Sequence, residues 1–251
     1  MESSVPLVVD FTCKIDMAKI DSLSVFFPAY NEEENVATTV SKAKATLPKV
    51  VDNWEILIIN DGSKDKTKEI AERLAKEDKR IRVVSHHVNR GYGGSLQSGF
   101  YNAKYPWITF TDIDGQFDFS EITKFIQKQK ETGADLVIGY YLKRKVSFAV
   151  ILTSKIWELI VFLLFGLKVR DIDCGFKLIS KKVINKIPHL ESERGAFISS
   201  ELLIKAKKAG FKIVEIPVHH YPRIKGKATG RKLTVIIKSL FDLFNLWRKI
   251  R

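Results

Sequence analysis

Residues 23–63 read LSVFFPAYNEEENVATTVSKAKATLPKVVDNWEILIINDGS. The run Leu23–Phe27 is apolar apart from Ser24 and ends at Pro28, as a strand buried on both faces does. Val36, Val40 and Leu47 then recur at helical spacing. Asn31 is the expected cap of that helix, with Glu34 three residues on as in a capping box. A second apolar run, Trp54–Ile59, closes on the turn sequence Asn60-Asp61-Gly62-Ser63. A strand, a helix of about ten to fifteen residues and a second strand make one unit of a parallel sheet.

Outward from this unit the alternation continues. Ile70 and Leu74 mark a second helix with a charged outer face. Ile81–Val84, Trp107–Thr111 and Leu136–Ile138 are further strands, and Ile213–Val218 is an apolar strand near the end. The expected fold class is therefore α/β, a mostly parallel sheet flanked by helices. In such sheets ligands sit beyond the carboxyl ends of the strands.

Composition sets the outer bounds. The chain has 251 residues, 45% apolar and 28% charged, enough for one substantial core. Cys13 and Cys174 form no paired or metal-spaced motif, so free thiols in a reducing compartment are expected. Met1 to Asp10 carries no basic residue and does not read as a secretory signal. The formal net charge is +13. Between Arg223 and Arg251 nine Lys/Arg face one acidic residue, Asp242, giving +8. Nucleic acid, anionic lipid and a phosphorylated substrate all suit such a tail. No recognised nucleic-acid motif accompanies it, so no nucleic-acid partner is expected.

The strand-end segments carry the chemistry. Trp107-Ile-Thr-Phe-Thr-Asp-Ile-Asp-Gly-Gln116 runs from a strand into Asp112 and Asp114, two apart and so on one side of an extended chain. With Gln116 they make a hard oxygen site suited to Mg²⁺ or Mn²⁺. A solvated acidic turn is the plain alternative. After the first strand, Tyr30 can stack on a base and Glu32 can accept from a ribose hydroxyl. After the second, Asn60 or Asp61 can bond a base edge. After the third comes Asn89-Arg-Gly-Tyr-Gly-Gly-Ser-Leu-Gln-Ser-Gly99, where Gly91 opens either a backbone approach to a nucleotide or close helix–sheet packing. His219 and His220 receive no ligand role.

Taken together, Pro28-Ala-Tyr-Asn-Glu32, Asn60-Asp-Gly-Ser-Lys-Asp65, Asn89-Arg-Gly-Tyr-Gly93, Asp112-Ile-Asp-Gly-Gln116, Arg170-Asp-Ile-Asp-Cys-Gly-Phe-Lys177, Ser200-Glu-Leu-Leu203 and His220-Tyr-Pro-Arg223 resemble the family-2 glycosyltransferases of GT-A fold. Within that family they look like the branch of dolichyl-phosphate mannose and glucose synthases. The resemblance covers roughly residues 22–235. It implies that Pro28, Tyr30, Glu32 and Asp61 hold the nucleoside and that Asp112, Asp114 and Gln116 hold Mg²⁺ or Mn²⁺. Where the family more often has Asp, this chain has Asn60, which leaves guanine and uracil both open. Tyr141 stands where a Gly-x-Arg arginine is common; Lys143, Arg144 and Lys145 follow it.

The implied reaction is single-displacement, inverting transfer of a hexose from a GDP- or UDP-sugar to a polyprenyl or dolichyl phosphate. Arg223 and Lys227 would close over the diphosphate from a loop containing Gly226 and Gly230. Arg144, Lys155, Arg170, Lys177 and Lys227 are the cations expected at the acceptor phosphate. Transfer to a glycan, glycolipid or other hydroxyl needs a base, for which Asp173 and Glu201 are the candidates. Glu201 also reads as a first-turn acid behind a Ser199 or Ser200 cap. A non-catalytic nucleotide- or lipid-phosphate-binding protein is the reading from another class.

Three regions are expected: an N-terminal extension at 1–21, the catalytic domain at 22–222, and a basic loop with an amphipathic tail helix at 223–251. In the tail, Leu233, Ile236, Ile237, Leu240, Phe241, Phe244 and Trp247 form one broad stripe. A bilayer interface or packing on the domain would each use it. Phe148–Leu167 is interrupted by Lys155 and Glu158, and Leu159–Leu167 is too short to span a bilayer. The expected location is peripheral, on the cytoplasmic face of a membrane.

Overall fold

Seven strands form one sheet in the computed structural model, which describes residues 19–142, 148–193, 195, 197–223 and 233–250, without side chains at 148–150 and 233–238. In chain order the strands are β1 (Ile20–Ala29), β2 (Val51–Asn60), β3 (Ile81–Ser85), β4 (Trp107–Phe110), β5 (Leu136–Tyr141), β6 (Lys177–Ser180) and β7 (Ile213–Val218). The helices are α1 (Val36–Val50), α2 (Thr67–Glu77), α3 (Tyr92–Asn102), α4 (Ile122–Thr132), α5 (Phe148–Phe165), α6 (Lys181–Lys186), α7 (Phe197–Lys208) and α8 (Leu233–Ile250). The spatial order is β3-β2-β1-β4-β6-β5-β7. All pairings are parallel except those of β6, which runs antiparallel to both β4 and β5.

The continuous apolar runs are explained by two cores, one on each face. Val25 and Phe27 of β1 and Ile56 and Ile58 of β2 face the core built with α1, α2 and α4. Phe26, Leu57 and Ile59 face the core built with α3, α6, α7 and α8. That is the period of two expected of a strand covered on both sides. Helix α3 lies very close on the sheet: a Cβ at Gly99 would meet the Phe26 ring at 2.3 Å. Gly99 therefore serves close helix–sheet packing, one of the two uses that the Gly-rich sequence left open.

Several local expectations change. β1 and β2 run longer at both ends than their apolar cores. Asn31 does not cap α1. It sits at φ +56° in a turn, and Asn35 takes the cap position without a side-chain cap bond. Ser199 and Ser200 lie inside α7 rather than before it. β6 has no counterpart in the sequence reading.

Candidate active site

The carboxyl ends of β1, β2 and β4 converge, and the turns beyond them are tied together by side chains. Asn31 donates its backbone N–H to Ser63 Oγ (3.0 Å) and accepts from the Lys64 N–H at Oδ1 (2.8 Å). The Glu32 N–H donates to Thr67 Oγ1 (2.8 Å), and Glu33 Oε2 accepts from the Lys66 N–H (2.9 Å). The first two motifs are thus one rigid ridge. Their polar residues mostly satisfy the turns, as buried loop backbone requires.

This divides the expected nucleotide residues. Tyr30 and Glu32 remain partly open. Pro28 is buried in β1 opposite Ile59, beyond the last β4 partner of β1 at Phe26. Asn60 is 2% exposed; its amide donates to Ser85 Oγ (3.3 Å) and its Oδ1 accepts from the Ser63 N–H (3.2 Å). Asp61 is equally buried and accepts from the Arg90 and Gly91 N–H groups, both at 2.8 Å. Gly91 stands at φ +88°, a conformation that favours glycine.

Asp112 and Asp114 follow β4. Burial, then the neighbouring Asp114 charge, pushes the Asp112 carboxyl up to about 6, against a bond from the Tyr92 hydroxyl. A Cβ at Gly175 would come within 2.8 Å of Asp112 Oδ2, so only glycine lets the segment before β6 close on this carboxylate. Asp114 Oδ1 accepts from the Gln116 N–H (3.0 Å). The Gln116 side-chain amide donates to the Tyr221 carbonyl (3.1 Å), and the Gln116 backbone carbonyl accepts from the Tyr221 N–H (2.9 Å). Those bonds dock the 219–223 segment on the acidic turn.

That docking delivers Arg223. Its Nη2 lies 2.5 Å from Glu32 Oε1 and 3.2 Å from Asp114 Oδ2. Burial holds the Glu32 carboxyl above its ordinary range; the bond from Asn35 and the Arg223 charge oppose this. Arg223 thus stands beside Glu32, 191 positions before it, and beside Asp114.

The acceptor cations separate. Lys155 and Arg170 are exposed and adjacent: Lys155 Nζ donates to Glu158 (2.6 Å) and to the Arg170 carbonyl (3.0 Å). The Arg170 guanidinium lies 4.6 Å over the Tyr140 ring. Lys177 is fully buried in β6. Its Nζ donates to the Ile172 carbonyl (3.1 Å) and to the Cys174 carbonyl. Burial pulls its pKa down. It cannot reach an acceptor, and the expectation for it is corrected: it is a core cation beneath the acidic turn. Lys143, Arg144, Lys145, Gly226, Lys227 and Gly230 lie outside the described residues, as does Cys13.

Glu201 is also corrected. At 2% exposure, its Oε1 accepts from Lys205 Nζ (2.6 Å) and the Glu191 N–H (2.9 Å), and its Oε2 from the Ser192 N–H (3.0 Å). It is a structural ion pair. The loop it holds covers the Gly-rich turn: the Glu193 carbonyl accepts from the Gly94 N–H (2.8 Å), and a Cβ at Gly93 would meet Ser192 O at 2.2 Å. A cavity of about 700 Å³ lies on the outer side of this loop, against α7 and α8.

Tyr92, His86 and Gly175 were not singled out for the site by sequence. His86 stands just past β3, so the strand-end rule that pointed to the other motifs covers it. Nothing in the sequence marks the Tyr92–Asp112 bond, which depends on how α3 is placed.

The family model for "Glycosyl transferase family 2" matches residues 24–188. The chain belongs to glycosyltransferase family 2. Among relatives of this glycosyltransferase, the dolichyl-phosphate beta-glucosyltransferase of Saccharomyces cerevisiae is 31% identical over 242 residues, 87% of this chain and 71% of that protein. Glycosyltransferase AglD of Haloferax volcanii is 30% identical over 213 residues, 80% of this chain. The match spans only 33% of AglD. A solved structure of glucosyl-3-phosphoglycerate synthase from Mycobacterium tuberculosis, in complex with Mn²⁺ and UDP-glucose, superposes with a TM-score of 0.64 at 20% identity. That superposition covers 92% of this chain and 79% of the synthase, and it supports the GT-A fold of the enzyme.

Proposed function

We propose that this glycosyltransferase moves a hexose from a GDP- or UDP-sugar to a polyprenyl phosphate at a membrane surface, with a divalent cation at Asp112 and Asp114. Among the described residues no group of three His, Cys, Asp or Glu forms a complete metal cage. Mg²⁺ and Mn²⁺ do not need one, since one or two carboxylates suffice when substrate phosphates complete the shell. The donor set fits: Asp112 and Asp114 stand two apart just past the end of β4, and the Asp114 charge adds to burial in raising the Asp112 carboxyl. Bound there, the ion would supply charge neutralisation for the departing diphosphate. Gln116 holds the acidic turn to the 219–223 segment. Arg223, already beside Asp114, is placed to turn its guanidinium to that diphosphate. Tyr30 and Glu32 offer a stacking face and an acceptor to the nucleoside.

The state of Glu201 carries the choice of acceptor. A hydroxyl acceptor needs a base, whereas a phosphate is already anionic. Of the two base candidates, Glu201 is sealed in the ion pair, which leaves that reading with Asp173. Exposed Lys155 on α5 and Arg170 on the segment leading to β6 suit a phosphate. The dolichyl-phosphate relative supports the same acceptor class.

The membrane part rests on two helix faces. In α8, Leu243 and Leu246 are buried against the domain, while Leu240, Phe241 and Phe244 point outward, Phe241 at 66% exposure. In α5, Leu159, Phe162 and Leu163 are likewise exposed. Leu164 and Phe165 of α5 and Trp247 and Ile250 of α8 line one pocket, together with Lys207 and Lys208. No helix among the described residues is long and apolar enough to cross a membrane. Such a basic-rimmed apolar face suits the surface of an anionic leaflet.

The test is transfer by purified protein with Mg²⁺ or Mn²⁺, a panel of GDP- and UDP-sugars and a short polyprenyl phosphate in detergent. A lipid-linked product is expected, lost with chelator and in Asp114→Ala. Donor binding without a lipid product would remove the lipid acceptor and move the hydroxyl reading, with Asp173, to first place.

A further inference from the structure

We infer that His86 is a positioning residue for donor binding, anchoring the nucleotide-facing turn through a Ser98–His86–Asp61 chain. The inference rests on the donor-site reading above. Three observations carry it. First, the His86 N–H donates to the Asn60 carbonyl (2.9 Å), which extends the β2–β3 ladder one residue and fixes the origin of the ring. Second, the ring is bonded at both nitrogens: Nδ1 lies 2.6 Å from Asp61 Oδ1 and Nε2 lies 2.8 Å from Ser98 Oγ. Third, the His86 and Asp61 side chains are only 7% and 4% exposed, so this contact is not a solvated surface pair.

The chemistry assigns the roles. An ionised carboxylate only accepts, so Nδ1 must carry the proton facing Asp61. The Ser98 hydroxyl can donate or accept at Nε2 by rotating, so it satisfies the ring in either protonation state. A carboxylate offers about four acceptor positions. Here Oδ1 takes His86 and the Arg90 N–H, and Oδ2 takes the Gly91 N–H. Among the described residues one position remains, on Oδ2 beside Gly91. It suits a ring N–H donor of the kind uracil and guanine both carry. His86 thus selects which carboxylate lone pair is left for the base, and it holds the Arg90–Gly91 turn in place at the same time. A donor that only filled space could not do this.

Substitution separates positioning from packing. His86→Asn keeps an amide N–H near the Nδ1 position; His86→Phe fills the space without a donor; Ser98→Ala removes the far bond. Binding of UDP and GDP with Mn²⁺ is measured by calorimetry, together with steady-state transfer. For His86→Phe, a nucleotide Kd and donor KM raised about ten- to a hundredfold are expected, the range for losing a hydrogen bond to a charged group, with kcat within about threefold. His86→Asn should recover most of the loss. Should His86→Phe fail to fold, the wild-type Nδ1–H proton resonance provides the test, since it should shift on nucleotide addition. An unmoved resonance, an unchanged Kd in folded His86→Phe, or His86→Asn as impaired as His86→Phe would overturn the inference. If wild-type protein binds neither nucleotide, the donor reading itself falls and this inference with it.

Discussion

Replacing Glu201 by Gln separates a structural acid from a catalytic one. The change keeps the shape of the side chain but removes its charge. It leaves Lys205, 3% exposed on its side chain, with only the His189 carbonyl (2.6 Å) and an amide in place of its carboxylate. It also turns one amide N–H₂ toward a backbone N–H, of Glu191 or Ser192, that now needs an acceptor. Breaking a buried ion pair by removing one partner costs about 3–5 kcal/mol. For a chain of this size each kcal/mol is roughly 2–4 °C in Tm. A loss of about 6–20 °C is therefore expected, read by thermal unfolding. Glu201→Gln with Lys205→Met should regain part of it, because no orphaned cation remains. Turnover per folded molecule, measured well below the new Tm, should stay within about threefold of wild type. A general base would behave in the opposite way: its loss costs about 10²–10⁴ in rate and need not touch Tm. A Glu201→Gln protein of wild-type Tm and abolished turnover would refute the structural assignment and restore a hydroxyl acceptor.

Other outcomes follow from the same geometry. Arg223→Ala removes the cation lying 3.2 Å from Asp114; Mn²⁺ bound to nucleotide-free protein, counted by electron paramagnetic resonance, should tighten at least about threefold, while donor turnover falls. Phe241→Glu with Phe244→Glu should abolish binding to anionic vesicles and leave Tm unchanged, because both rings are exposed; retained vesicle binding would remove α8 from the membrane face. Cys174 is fully buried, and burial pushes its thiol up to about 12. In a Cys13→Ser background it should resist alkylation at pH 8 until the protein unfolds. Because the folded pKa is raised, the stability it contributes is present below the ordinary thiol pKa of 9.0 and is lost as pH rises toward 12.

The parallel half of the sheet was legible because its strands are apolar on both faces and end at turn residues. The acidic turn after β4 was legible for the same reason: Asp112 and Asp114 stand at a strand end. β6 was not. Its four residues include Lys177, which reads as a surface cation; carbonyls from the preceding loop, the face of Phe110 and the nearby Asp171, Asp173 and Asp112 charges make it tolerable inside. Asn31 looked like a cap because Asn suits both a cap and a left-handed turn. In α8 the tail carries apolar residues on two faces. The sequence marks one broad stripe from Leu233 to Trp247, and that stripe leaves out the docked face, Leu243 and Leu246, which packing on α7 decides. Glu201 looked catalytic or capping because a buried ion pair at i and i+4 has the same spacing as an exposed one.

The reversed direction of β6 has a consequence for how the enzyme comes into being. β1, β2, β3 and β4 are joined by short helical crossovers, so β2 and β3 each add to the strand before and β4 returns to pair with β1, all with modest loop closure. β6 enters between β4 and β5 and needs both already present, with β4 some 67 positions upstream of it in the Phe110–Lys177 pair. Its arrival also brings Gly175 against Asp112 and buries Lys177 beneath the acidic turn. Pairing β6 with β4 and β5 and walling the carboxylates are therefore one and the same event. A chain arrested before it would hold its acidic turn open to water on one side, with a parallel sheet edge exposed where β6 belongs.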